Sequence, residues 1–94
     1  MAKESFERQI ELAESLKSSL NRLQESLGAA SKSYQQRSNE LRDAGMMAEF
    51  SQKFIEEYVA ETTQRINNVV EQINGRDIPF IQNYIVYLEQ GRAI

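Results

Sequence analysis

Apolar residues return at every seventh position along the first half of the chain: Phe6, Ala13, Leu20, Leu27, Tyr34 and Leu41. Leu16, Leu23 and Ala30 follow three places after members of that series. Alternating steps of three and four put these side chains on one stripe of an α-helix. Sustained over several heptads, the stripe describes a coiled-coil-like seam rather than a broad globular face. The intervening positions are Glu, Ser, Gln, Lys and Arg, with Glu4 and Arg8 spaced for a weak i,i+4 pair. The pattern predicts one helix over residues 3–42. It runs through Gly28, although glycine there costs about 1 kcal/mol relative to Ala.

A second arm repeats the pattern with Ile55, Val59, Thr62, Ile66, Val69 and Ile73, and Phe50, Phe54 and Tyr58 widen its apolar face. This predicts a helix over residues 46–74, with Glu49–Lys53 and Glu61–Arg65 as Glu-first i,i+4 pairs. Residues 43–45 read as the turn. Asp43 is placed to cap the second helix, while Gly45 and the alanines beside it leave room for two helices to approach. So short a connection makes the helices antiparallel neighbours, a hairpin. Of Met46 and Met47, one reads as cover for the end of its seam and the other as exposed, although flexible thioethers also suit an adaptable binding surface.

At "INGRDIPF", Asn74-Gly75 reads as a helix stop, and Asp77 with Pro79 as a new start. A C-terminal helical segment over residues 78–91 is expected. At 1.5 Å per residue the first helix spans about 60 Å and the second about 44 Å, and the last segment supplies about 21 Å towards the difference. Phe80 continues the Ile66, Ile73 series at the same interval of seven. The segment is therefore expected as a kinked continuation that covers Phe6 and Ile10. Its own apolar residues go nearly all the way round, and a helix of that kind is normally buried. Phe80, Ile81, Tyr84, Ile85, Tyr87 and Leu88 are accordingly expected to form an interface. The predicted fold is an all-α antiparallel two-helix hairpin with this segment, dimerising into a four-helix bundle. A second copy of the chain is the simplest partner, because one patch then covers itself twice. A heterodimer with a similar hairpin meets the same need.

Composition narrows the chemistry. In 94 residues there is no Cys and no His, so disulfides, the usual zinc ligand sets and the commonest general base are absent. Chains this short often rely on a partner for stability. The 14 acidic residues outnumber the 11 basic ones. The basic residues are scattered among Glu, which argues against nucleic-acid binding. Glu7, Glu11 and Glu14 share a helical face, as do Glu57 and Glu61, but without His they do not make a carboxylate di-metal site. The four glycines are isolated, so there is no phosphate loop. Tyr34, Tyr58, Tyr84 and Tyr87 lie at helical spacing beside apolar residues and read as core or interface aromatics. No enzyme, cofactor or metal site is predicted. Nothing approaches the ~20 apolar residues of a membrane span. "MAKESFERQIEL" lacks the apolar run of a signal peptide. The expectation is cytoplasmic synthesis, with any export by a route that does not read a cleavable leader.

The layout of two long helices, a short glycine-containing turn and no Cys resembles the WXG/ESAT-like family of small helical hairpins. The resemblance covers the chain in outline, and its motif lies at the turn, where Leu41, Asp43, Gly45 and Phe50 stand. The family carries Trp-x-Gly there, or in related hairpins Trp-x-Asp, followed by an aromatic residue early in the second helix. Leu41-Arg42-Asp43 is similar to the latter with Leu in place of Trp. Exported members often carry Tyr-x-x-x-Asp/Glu near the end of the second helix. The four tyrosines here have Ser38, Thr62, Leu88 and Gly91 four places on. The resemblance implies a dimeric four-helix bundle, and either a small secreted factor or the helical partner of a larger secreted protein. The residues alone equally admit a cytoplasmic adaptor or chaperone that binds a client through its apolar C-terminal segment.

Overall fold

The computed structural model describes residues 3–93, and every one of them outside residues 44–47 is helical. Helix α1 runs Lys3–Asp43 without a break at Gly28. After the turn come α2 (Ala48–Ser51), a π-helical segment (Gln52–Val59), α3 (Ala60–Gln72), a second π-helical segment (Ile73–Asp77) and α4 (Ile78–Ala93). The fold is all-α. By their contacts the residues fall into two compact units, Glu25–Val70 and the pair Met1–Gln24 with Glu71–Ile94.

In the unit Glu25–Val70 the turn is set by backbone conformation. Gly45 has φ +115°, a region L side chains rarely adopt, which ends α1 as a glycine C-terminal cap does. The Ala44 N–H donates to the Glu40 carbonyl (2.9 Å) and the Gly45 N–H to the Arg42 carbonyl (3.1 Å), satisfying two carbonyls of the last turn. Asp43 does not cap the second arm as expected. It is the last residue of α1, and its carboxylate accepts from Arg42 Nε at 3.2 Å. The residue preceding α2 is Met47, which makes no side-chain cap. The turn thus sits one to two residues later than the sequence reading.

The seam of this unit is small and polar. Ser31, Ser38 and Thr63 are buried with Val59, and Leu27, Tyr34, Ile66 and Val70 are half-buried. Each hydroxyl has a local partner: Ser38 Oγ donates to the Tyr34 carbonyl (2.6 Å), Thr63 Oγ1 reaches the Val59 and Ala60 carbonyls (2.9 and 3.0 Å), and Ser31 Oγ accepts from Gln35 Nε2 (3.4 Å). Tyr34 meets Phe54 edge to face, with ring centroids 6.2 Å apart. Thr63, not Thr62, turns inward, and Val69 is exposed where Val70 is half-buried.

In the other unit α4 lies against the start of α1. Ala13, Ile73, Ile85 and Leu88 are buried, and Ile85 is fully sealed from water. Phe6 covers the backbone of Gly91, where an added Cβ would sit 3.2 Å from the ring. Lys17 Nζ donates to Gln82 Oε1, and the Tyr84 hydroxyl to Gln9 Oε1. Contacts early in α1 therefore fall late in α4, so the two segments run antiparallel. The stop expected at Asn74-Gly75 is instead a continuous helical path. Residues Ile73–Asp77 wind as a π-turn, with the Ile78 N–H donating five residues back to the Ile73 carbonyl.

The ion pairs of the described residues are local, and most are exposed. Arg65 pairs with Glu61 as expected, whereas Lys53 pairs with Glu57 (3.1 Å) rather than Glu49. Arg8 pairs with Glu11 (3.3 Å), and the side chain of Glu4 lies outside the described residues. Pairs of this kind contribute little.

Candidate functional site

Which side chains each unit leaves uncovered follows from register. On α1 the buried and half-buried series is Phe6, Ile10, Ala13, Lys17, Leu20, Gln24, Leu27, Ser31, Tyr34 and Ser38. This keeps the predicted seven-residue series as far as Tyr34, its last member Leu41 being exposed, but pairs it with the row four places on, not three. Leu16 and Leu23, expected in the seam, are exposed, as is Leu12. Lys17 fits inside because its aliphatic stem lies along the seam while the ammonium reaches Gln82 and Glu14.

The second arm turns on one residue. Its inward series reads Val59, Thr63, Ile66, Val70, Ile73, Asp77, Ile81, Ile85 and Leu88. Up to Ile73 the steps alternate four and three. From Ile73 they run four, four, four and three. Unbroken alternation would have reached 80, 84 and 87. The extra residue is taken up by the π-turn at Ile73–Asp77, and α4 is rotated accordingly. Of the six expected interface residues, Ile85 and Leu88 therefore belong to the unit's own core. Ile81 is half-buried, and Phe80, Tyr84 and Tyr87 face outward, with Phe80 at 70% and Tyr87 at 67% exposure. Tyr84 and Tyr87 stack with centroids 6.4 Å apart.

Apolar side chains line a groove in each unit. Leu16, Leu20, Phe80 and Ile81 line the first, of about 400 Å³, and Arg76 with Asp77 forms its polar edge. The Arg76 Nε donates to the Asp77 carboxylate at 2.8 Å, so these two charges are already matched to each other. The second groove, of about 280 Å³, is lined by Leu41, Met46, Phe50, Lys53, Phe54 and Tyr58. It brings together two of the four turn-motif residues, Leu41 and Phe50. Asp43, at the end of α1, and Gly45, in the turn, lie outside it. Lys53 Nζ stands 5.6 Å from the centroid of the Tyr58 ring.

The surfaces offer shape and hydrophobicity rather than reactive groups. Among the described residues, no group of three or more His, Cys, Asp or Glu is placed to hold a metal ion. Among them too, every buried side-chain polar atom has a partner, and no helix is long and apolar enough to cross a membrane. Leu16 and Leu23 were missed as surface residues because leucines at seam spacing read as core. The available signal was the small and polar row Ser31 and Ser38, which permits a closer helix approach than Leu does. Comparison with protein-family models, with curated proteins and with solved structures finds no match to this chain.

Proposed function

We propose that this chain is a non-enzymatic protein–protein interaction module, a helical hairpin that pairs with a second copy of itself into a four-helix bundle. In this reading it works as a WXG/ESAT-like small secreted factor or as the helical partner of a larger secreted protein. The observation that supports it most is the exposed apolar surface of one unit: Leu12, Leu16 and Leu23 on α1, and Phe80, Tyr84 and Tyr87 on α4. Covering a large apolar side chain is worth roughly 1.5–3 kcal/mol. Against a total stability of about 5–15 kcal/mol, leaving six uncovered is a strong drive to associate. The glycine turn and the Leu41–Phe50 groove beside it support the family reading. That Phe80 and Tyr87 are among the most exposed side chains favours one second reading, an adaptor that holds a client protein on the same aromatic surface.

Light scattering on the purified chain tests the proposal. The expected mass is twice the 10.9 kDa of one chain. The double variant Leu16→Glu/Phe80→Glu should fall to one chain mass while circular dichroism still reports full helix. A wild type of single-chain mass at all concentrations, or a double variant that stays dimeric, overturns the dimer. In the first of those cases, loss of client capture on Phe80→Glu would support the adaptor reading.

A further inference from the structure

The π-turn at Ile73–Asp77 joins an arm with one regular seam to a helix that has two apolar faces. Ile81, Ile85 and Leu88 form one face, and Phe80, Tyr84 and Tyr87 form the other. Each set is displaced from its counterpart by a single residue. One residue of an α-helix is about 100° of rotation and about 1.5 Å of rise. Winding the same five residues as an α-turn would therefore carry Phe80, Tyr84 and Tyr87 into the seam and turn Ile81, Ile85 and Leu88 out. No residue need be added or lost, because everything beyond the turn rotates together.

Two residues explain why the wider turn prevails. In an α-helix the ring of Pro79 would press on the carbonyl four residues back, that of Gly75. A π-turn at this point moves the carbonyl out of that position, and helix irregularities of this kind commonly have such a cause. Gly75 carries no side chain into the widened turn, and a Cβ built there would meet open space.

We propose that Ile73–Asp77 is a register device with two states. The π state presents the aromatic face of α4 and buries the aliphatic one, the α state does the reverse, and Pro79 holds the chain in the π state. The device thereby decides whether a partner meets a stacked tyrosine pair or a branched aliphatic ridge. It does not depend on the dimer reading, since it concerns which face of α4 is turned to α1 within one chain.

Nuclear magnetic resonance of the full chain tests it with two readouts internal to a single chain. The first is the scalar coupling across the hydrogen bond of the Ile78 amide. In the wild type it should connect to the Ile73 carbonyl. In Pro79→Ala it should appear at the Asn74 carbonyl, four residues back. The second is the nuclear Overhauser contact between the Phe6 ring and the Gly91 α-protons, present in the wild type and lost in Pro79→Ala. Deleting Gly75 in the Pro79→Ala background removes the surplus residue, so an α-turn then returns the original face to the seam. The Phe6–Gly91 contact should reappear there. Alanine is a better helix former than proline, so Pro79→Ala is not expected to fail by unfolding. If Pro79→Ala keeps both the Ile73 coupling and the Phe6–Gly91 contact, proline does not hold the register and the proposal is wrong. Loss of the contact that deletion does not restore also contradicts it. Neither outcome bears on whether the chain dimerises.

Discussion

In the unit formed by Met1–Gln24 and Glu71–Ile94, the side chains sealed from water are Ala13, Ile73, Ile85 and Leu88. In the unit Glu25–Val70 they are Val59 together with Ser31, Ser38 and Thr63. The first seam is held by burial of branched aliphatic carbon. The second joins helices through small side chains satisfied within their own helix, Ser38 and Thr63 donating to carbonyls and Ser31 Oγ accepting from Gln35 Nε2, so that among the described residues no buried polar group is stranded. Burial energy scales with apolar area, so the first seam carries more of the stability. The second instead depends on the backbone of its turn, where Gly45 holds φ +115°.

This contrast can be broken at three points of decreasing size. Ile85→Ala removes a fully buried side chain from the aliphatic seam and should lower the unfolding free energy by about 2–5 kcal/mol in a urea titration. A loss below about 1 kcal/mol would mean that Ile85 is not packed as described. Gly45→Ala forces a Cβ onto a backbone at φ +115°. It should lower the same free energy by about 1–3 kcal/mol without reducing helix content. Ser38→Ala should move stability by no more than about 0.5 kcal/mol in either direction. The lost hydroxyl bond and the better helix propensity of alanine are of similar size. A large loss there would show that the serine makes a contact across the seam, and the two units would then be more alike than their burial suggests.

Much of this fold can be read from the sequence, because heptad spacing is a local property of helices. The series Phe6 to Tyr34 lies in or beside the seam, and α1 crosses Gly28 intact. Two things escaped that reading. Hydropathy alone favoured Leu16 and Leu23 over Lys17 and Gln24 for the seam, whereas the latter pair is half-buried and the leucines are exposed. A lysine stem and a small serine row fit where the pattern of apolar residues does not require them. The second is Pro79, which was read as a helix start after a stop at Gly75. A proline four residues after a glycine can also be accommodated by widening one turn, and that choice moves every later side chain by one position. The candidate interface was therefore legible as a segment but not as a face. Of its six residues, only the aromatic three, Phe80, Tyr84 and Tyr87, lie exposed outside the unit's own core.

Under the proposed function a second copy of the chain covers this aromatic and leucine surface, so that folding and pairing are one equilibrium. The direct measurement is the urea midpoint of the wild type at two protein concentrations that differ about a hundredfold. Mass action then adds about 2.7 kcal/mol to the stability of a folded dimer, which moves the midpoint upward by about 1 M. A midpoint that rises by that amount, and stops rising in Leu16→Glu/Phe80→Glu, is the predicted result. A wild-type midpoint that does not depend on concentration would contradict the account.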